Sequence, residues 1–252
     1  MFNSLGIIWD QAIRSRAIVK KDMKIYYSKG PVVLMGIMYP AFMFIAFAFG
    51  RNMAAASLMP GLISMSVFFT CSAIAPITFP WETQARTLER LVSAPVAVWT
   101  ILLGDMLASM LTGVIISIVP IIIAIAVGST ILNPFILAGA IILGAVCFAT
   151  GSLLISSPPS RAPQYSQMIS SFIKFPLIFI SGIFVPLSEM PAFARSITYI
   201  SPLTYFTDLA RYSMGGRNYF PIGIDFLVLV VFTVAAWIIA VKLHNRSLPM
   251  RI

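Results

Sequence analysis

The chain has 252 residues, 59% of them hydrophobic and only 10% charged, with a formal net charge of +9 and a mean hydropathy of +0.95. A soluble domain carries about 25% charged residues, so this apolar content, gathered in uncharged runs of about 20 residues, excludes a water-soluble enzyme and points to repeated membrane crossings. The basic excess follows from loops retained on the inner side of a membrane, and nucleic acid is excluded as a partner because no basic stretch is interleaved with aromatics on a soluble element.

In chain order, residues 4–16 predict an amphipathic helix. Leu5, Ile8, Trp9, Ala12 and Ile13 recur at spacings of three and four, opposite Asp10, Gln11 and Arg14. Arg16, Lys20, Lys21, Lys24 and Lys29 follow. A basic helix of this kind is expected to lie in the headgroup plane against anionic lipid, or else to pack as a cap on other helices. The polar stretch up to Lys29 is too long for a secretory signal peptide.

Six apolar segments come next. The first runs from Pro31 to Phe49, closed by Gly50-Arg51-Asn52. The second covers Met59–Phe79 and contains Pro60 and Pro76, and the polar segment Trp81–Pro95 follows it. The third, Trp99–Val127, is long enough to tilt or to break near Pro120. The fourth is Phe135–Ile155, ended by a Ser-Pro-rich loop up to Arg161, and the fifth is Tyr165–Phe184. The segment Val185–Pro221 predicts two short helices, one near Pro191 and one capped by Ser201 with Pro202 at its first position. The sixth span is Ile222–Val241, and a basic tail closes the chain.

The reading is one all-α polytopic membrane domain over 1–252, with an interfacial segment at 1–30, six spans within 31–241 and a tail at 242–252. With the N-terminus inside, Arg14, Arg16, Lys20, Lys21, Lys24, Lys29, Arg86, Arg90, Arg161, Lys242, Arg246 and Arg251 face the cytoplasm, against Arg51, Arg195, Arg211 and Arg217 outside. That imbalance places both termini in the cytoplasm. Cys71 and Cys147 lie in apolar runs and are expected to pack as small hydrophobes.

Catalytic chemistry finds little purchase. No G-x-x-x-x-G-K-[ST] run is present to cradle a nucleotide, and the only histidine, His244, lies in the tail, which argues against a Ser-His or histidine-metal site in the membrane. No cofactor, metal site or catalytic residue is expected. The informative stretch is Pro80 to Val96, joining spans two and three on the cytoplasmic side. Glu82 and Arg86 stand four apart, Arg86, Glu89 and Arg90 share a helical face, and Thr87, Leu88 and Leu91 form a less polar one.

The run Thr87-Leu88-Glu89-Arg90-Leu91 followed by Pro95-Val96, with Gly104 after Ile101-Leu102-Leu103, resembles ABC-2 type transport permeases, especially drug-exporter-like members. Ser181-Gly182-Ile183-Phe184-Val185-Pro186, Met190-Pro191 and Ser201-Pro202-Leu203-Thr204-Tyr205 are similar to that family's end of span five and its external re-entrant helices. The chain departs from the family at Gln84-Ala85-Arg86, where Glu-Lys-Gly or a similar triplet is common.

The resemblance implies that the segment after span two is a coupling helix docking on a separate cytoplasmic ATPase subunit, two copies per assembly. Glu82, Arg86, Glu89 and Arg90 would supply its charges and Leu88 and Leu91 its anchors. The bland alternative is a solvated helix without a partner. It also implies a permease that pairs with itself or with a related chain, ATP bound only by the partner, and an outer gate at the external helices, with Phe193, Tyr205 and Phe206 as candidates. Composition adds that the cargo is amphipathic, drug-like or lipid-linked, because the spans hold few polar groups.

Lys174 lies about 13 Å along span five by helical rise, and Asp105 sits near the inner end of span three. A charge at such depth is rare. Lys174 either snorkels, pairs with Asp105 or meets an anionic group of the substrate. The rival functional classes are an ion-gradient-driven carrier or channel, a lipid-modifying membrane enzyme and a non-transporting scaffold. The first two predict charged, broken-helix or acid-base sites at mid-membrane that the sequence does not contain. A lone cysteine at Arg90, in a chain freed of Cys71 and Cys147, is expected to react with a membrane-impermeant maleimide in inside-out vesicles and not in intact cells; labelling in intact cells would overturn the topology.

Overall fold

The computed structural model describes residues 4–27, 36–43, 45–46, 55–94, 96–160, 162–185, 187 and 190–250. Among them there are helices and turns and no strand: α1 (Ser4–Asp22), a π-helical turn (Met23–Tyr27), α2 (Ala55–Cys71), α3 (Ala75–Gln84), α4 (Leu88–Ser93), α5 (Val98–Ala126), α6 (Pro134–Ile155), α7 (Pro163–Ile180), α8 (Ala192–Thr198), α9 (Pro202–Ser213), α10 (Ile222–Ser247) and a closing 3-10 turn (Leu248–Met250). Residues 31–35, 44 and 47–49 of the expected first span, together with Lys29, Arg51, Pro95, Arg161, Pro186, Glu189 and Arg251, lie outside the described residues.

Four helical stretches among the described residues are long and apolar enough to cross a membrane: Ser57–Gln84, Val98–Ala126, Pro134–Ile155 and Ile222–Met250. Their lipid-ready surface is plain in α5 and α10, where Ile115, Ile118, Ile122, Leu227, Val231 and Ile238 all point outward. The chain is an all-α polytopic membrane protein. α7 carries Lys174 and several hydroxyls, and its apolar run is correspondingly shorter.

The core sits where α2, α5, α6, α9 and α10 meet. Phe68, Phe148 and Phe206 form its centre, with ring centroids 5.1 Å apart between Phe68 and Phe148 and 5.4 Å between Phe148 and Phe206. Small residues let the helices approach, since close van der Waals packing replaces the hydrophobic drive inside lipid. A Cβ on Gly144 would stand 2.3 Å from the Phe206 ring, and one on Gly113 would stand 2.0 Å from the Cys71 sulfur. The helical residues 36–43 lie beside α2 and α7, with Tyr39 against Phe69 and Phe175.

Three boundaries differ from the sequence reading, and one alternative it left open is decided. The second span breaks at Ser72–Ile74, because Pro76 near the start of α3 has no N–H to return to the carbonyl of Ser72. The third does not break: α5 runs unbroken through a buried Pro120. α1 extends past residue 16 to Asp22, and the sixth helix runs to Ser247 rather than ending at Val241, so His244 is not in a tail. It is buried against Phe79, 4.6 Å between rings, with Nε2 3.2 Å from the Ser156 hydroxyl.

Overpacking a tight crossing costs about 1–3 kcal/mol. Gly144→Val is expected to lower the unfolding temperature in detergent by several degrees. Gly151→Ala, where a Cβ meets nothing within 4 Å, is expected to leave it unchanged or raise it slightly.

Candidate functional site

The polar turn between α3 and α4 is closed by a Schellman motif. The Thr87 amide donates to the Glu82 carbonyl at 2.9 Å and the Arg86 amide to the Thr83 carbonyl at 3.2 Å. The residue in the left-handed position is Arg86, at φ 55°, the one non-glycine residue with positive φ among those described. Glycine normally stands there, and a side chain with a Cβ costs about 1–2 kcal/mol. The single short helix expected over this stretch is therefore two, and the Glu82–Arg86 pairing on one face does not form.

Glu82 turns inward instead. It is 2% exposed and accepts from Lys21 Nζ, whose ammonium also lies 3.0 Å from Asp22 Oδ1. Asp105, on α5, is buried in the same neighbourhood. Burial works against the Lys21 charge, but the carboxylates of Asp105, Glu82 and Asp22 outweigh it and hold the ammonium's pKa above the ordinary 10.5. The Lys21 part of this stability is complete below that value and is lost as pH climbs through the raised one.

α1 is the platform for this network. Gln11 Oε1 accepts from the Ala97 amide at 3.1 Å and the Thr100 hydroxyl at 2.8 Å, satisfying the start of α5 from another helix. A Cβ on Gly104 would sit 2.5 Å from Ile18, so α1 crosses α5 at close range. Ile18, Phe79, Leu88, Leu102 and Leu153 form one apolar cluster beneath the turn. Trp9 and Ile13 of α1 face outward, 68% and 45% exposed.

Of the residues expected to couple, Arg86, Glu89 and Arg90 are exposed on the outer surface of the turn. Glu82 and Leu88 are not: Leu88 is 1% exposed and anchors the turn to its own chain, and Leu91 is half-buried against the same cluster. Inward anchoring leaves the outer face charged and the backbone beneath it fixed. The sequence reading placed Gln11 on the polar face of the helix and Lys21 in the basic run after it; Glu82, the acceptor for Lys21, and the donors to Gln11 lie 61 to 89 residues away, beyond any local spacing rule.

Lys174 and Asp105 do not pair. Lys174, 4% exposed, donates from Nζ to the Ser72 carbonyl at the span break.

At the opposite end of the bundle, α8 and α9 pack over the loop that follows α7. Arg195 donates to the Leu187 and Met190 carbonyls at 3.1 and 3.0 Å, and Arg211 donates to the Gly182 carbonyl at 2.7 Å. Asp208 accepts from the Tyr219 and Phe220 amides at 2.8 Å and so fixes the approach to α10. The three gate candidates occupy different surroundings. Phe193 is 79% exposed, Tyr205 is buried with its hydroxyl on the Tyr199 carbonyl and its ring 5.1 Å from Phe220, and Phe206 lies wholly inside the core.

A family model described as ABC-2 type transporter matches residues 14–214. Inner membrane transport permease YadH of Escherichia coli is 28% identical over 200 residues, covering 77% of this chain and 76% of YadH. Probable multidrug ABC transporter permease YbhR of the same species is 27% identical over 163 residues, 61% of this chain and 42% of YbhR. Nodulation protein J of Neorhizobium galegae is 22% identical over 250 residues, 92% of this chain and 93% of that protein.

Lys21→Met leaves buried carboxylates without their cation and is expected to cost about 3 kcal/mol, read as a lowered unfolding midpoint in detergent. Arg86→Gly removes the left-handed strain and is expected to stabilise the chain by about 1 kcal/mol in the same measurement.

Proposed function

We infer that this chain, which belongs to the ABC-2 type transporter family and is the membrane permease subunit of an ABC transporter, exports an amphipathic, drug-like or lipid-linked compound. Two copies of the permease, or one with a related chain, form the path. Two copies of a cytoplasmic ATPase subunit bind and hydrolyse the ATP. The end of the bundle carrying α1, the α3–α4 turn and the C-terminus is the cytoplasmic end.

One observation carries this reading: the α3–α4 turn shows Arg86, Glu89 and Arg90 outward while Glu82 and Leu88 pin it from within. A surface that transmits force needs charges for a partner to grip and a backbone that does not yield. The inner anchors supply the second requirement. Movement of the ATPase subunits on binding ATP displaces the turn against α1, which Gln11 and Ile18 hold on α5, so the Lys21–Glu82 contact has to give. Such a switch is driven only by the difference in ATPase affinity for the two permease states.

The cargo class rests on the scarcity of polar groups in the spans and on the multidrug wording in the name of YbhR. On the far side, Phe193, Tyr205 and Phe206 form the outer gate, with Arg195 and Arg211 holding the loop beneath it. Opening then requires Tyr205 to leave Phe220 and the Phe206 ring to slide on Gly144.

Replacing Arg86, Glu89 and Arg90 together by alanine is expected to lower co-purification with the cognate ATPase at least about tenfold, in line with loss of several interfacial charges. The unfolding midpoint of the permease should not fall. Undiminished capture of the ATPase by the triple variant would sink the coupling assignment.

A further inference from the structure

The break in the second span divides it between two sets of neighbours. α2 packs on α5, α6 and α9, whereas α3 packs most on α7, touches α6 and α5 through Phe79, and carries the polar turn at its end. A break inside a membrane leaves carbonyls that no water satisfies. Two side chains from other helices take them here: the Ser109 hydroxyl donates to the Cys71 carbonyl and the Lys174 ammonium to the Ser72 carbonyl. The Ser72 carbonyl is the one a regular helix would have joined to the amide of residue 76, and that residue is proline.

Lys174 is placed for this work. It lies on the buried stripe of α7 made of Pro163, Ser166, Ser170, Lys174 and Ile178, and among the described residues it makes no ion pair. A lone ammonium buried to 4% exposure and spent on one backbone oxygen is expensive. The cost makes sense if the break itself is worth keeping.

We propose that Ser72–Ile74 is a hinge of the transport cycle and that Lys174 is its positioning residue, holding the Ser72 carbonyl that Pro76 leaves open. α3, the coupling turn and α7 swing together about this point against the body formed by α2, α5, α6 and α9. The proposal rests on the ATPase-driven reading above for its role in the cycle; the bond from Lys174 to Ser72 does not.

The test is a rescue. Lys174→Met keeps the volume and removes the donor, and is expected to lower the unfolding temperature in nanodiscs by roughly 5 °C. Adding Pro76→Ala supplies a backbone amide for the same carbonyl and is expected to recover at least half of that loss. The double variant has a straightened span, so its complex with the cognate ATPase is expected to assemble but to lose the permease-dependent change in ATP turnover by about fivefold or more. A wild-type unfolding temperature for Lys174→Met, a failure of Pro76→Ala to recover stability, or full ATP turnover by the double variant would each overturn the hinge. A wild-type permease that never alters ATP turnover would overturn the ATPase reading and the hinge's role with it, while the temperature data would still decide the Lys174 bond.

Discussion

A chain inside lipid has no water to fall back on, so every backbone donor and acceptor must find its partner within the protein. That constraint shapes this molecule more than any single side chain. Where the helices are regular, the hydroxyls of Ser64, Thr83, Thr150 and Thr207 fold back onto carbonyls four residues earlier. Their polarity is absorbed locally and does not bind helices together. Where regularity fails, at Ser72–Ile74, partners have to come from α5 and α7, and the fold acquires cross-links it would otherwise lack.

The same rule governs the two ends of the bundle. At the α1 end, Gln11 satisfies the first turn of α5, and Lys21 draws Glu82 and Asp22 into a buried network. At the other end, Arg195 and Arg211 bond loop carbonyls, and Asp208 gathers the amides before α10. In both places a charged side chain is spent on fixing backbone rather than on ligand chemistry. These contacts fix the loops and helix ends to the bundle. The α3–α4 turn is the clearest case, because its charged face is presented to solvent only after Leu88 and Glu82 have secured the other side.

Much of this was legible in the residues. The alternation of apolar runs with polar turns located α6 within a residue of its observed start, and Ser201-Pro202 marked the start of α9. The Thr87–Leu91 run located the polar turn. What stayed hidden were pairings over long separations. Glu82 has a local partner in Arg86 by spacing and a better one in Lys21, because the Schellman turn sends Arg86 into the left-handed region and points it away. A pair between Lys174 and Asp105 was one of three readings for Lys174, and each lies nearer to something else.

The sequence alone therefore determined the class of protein, the membrane-crossing helices that their apolar length makes unavoidable, and the place of the polar turn, since all three depend on hydrophobicity and local backbone preference. Tertiary structure decided which charges face outward, which proline breaks its helix and which does not, and that α1 is joined to the α3–α4 turn. Pro76 breaks its span while Pro120 does not. Proline removes one amide in either case; at Pro76 helices distant in the chain bring Ser109 and Lys174 to the stranded carbonyls, and only the folded chain brings them there.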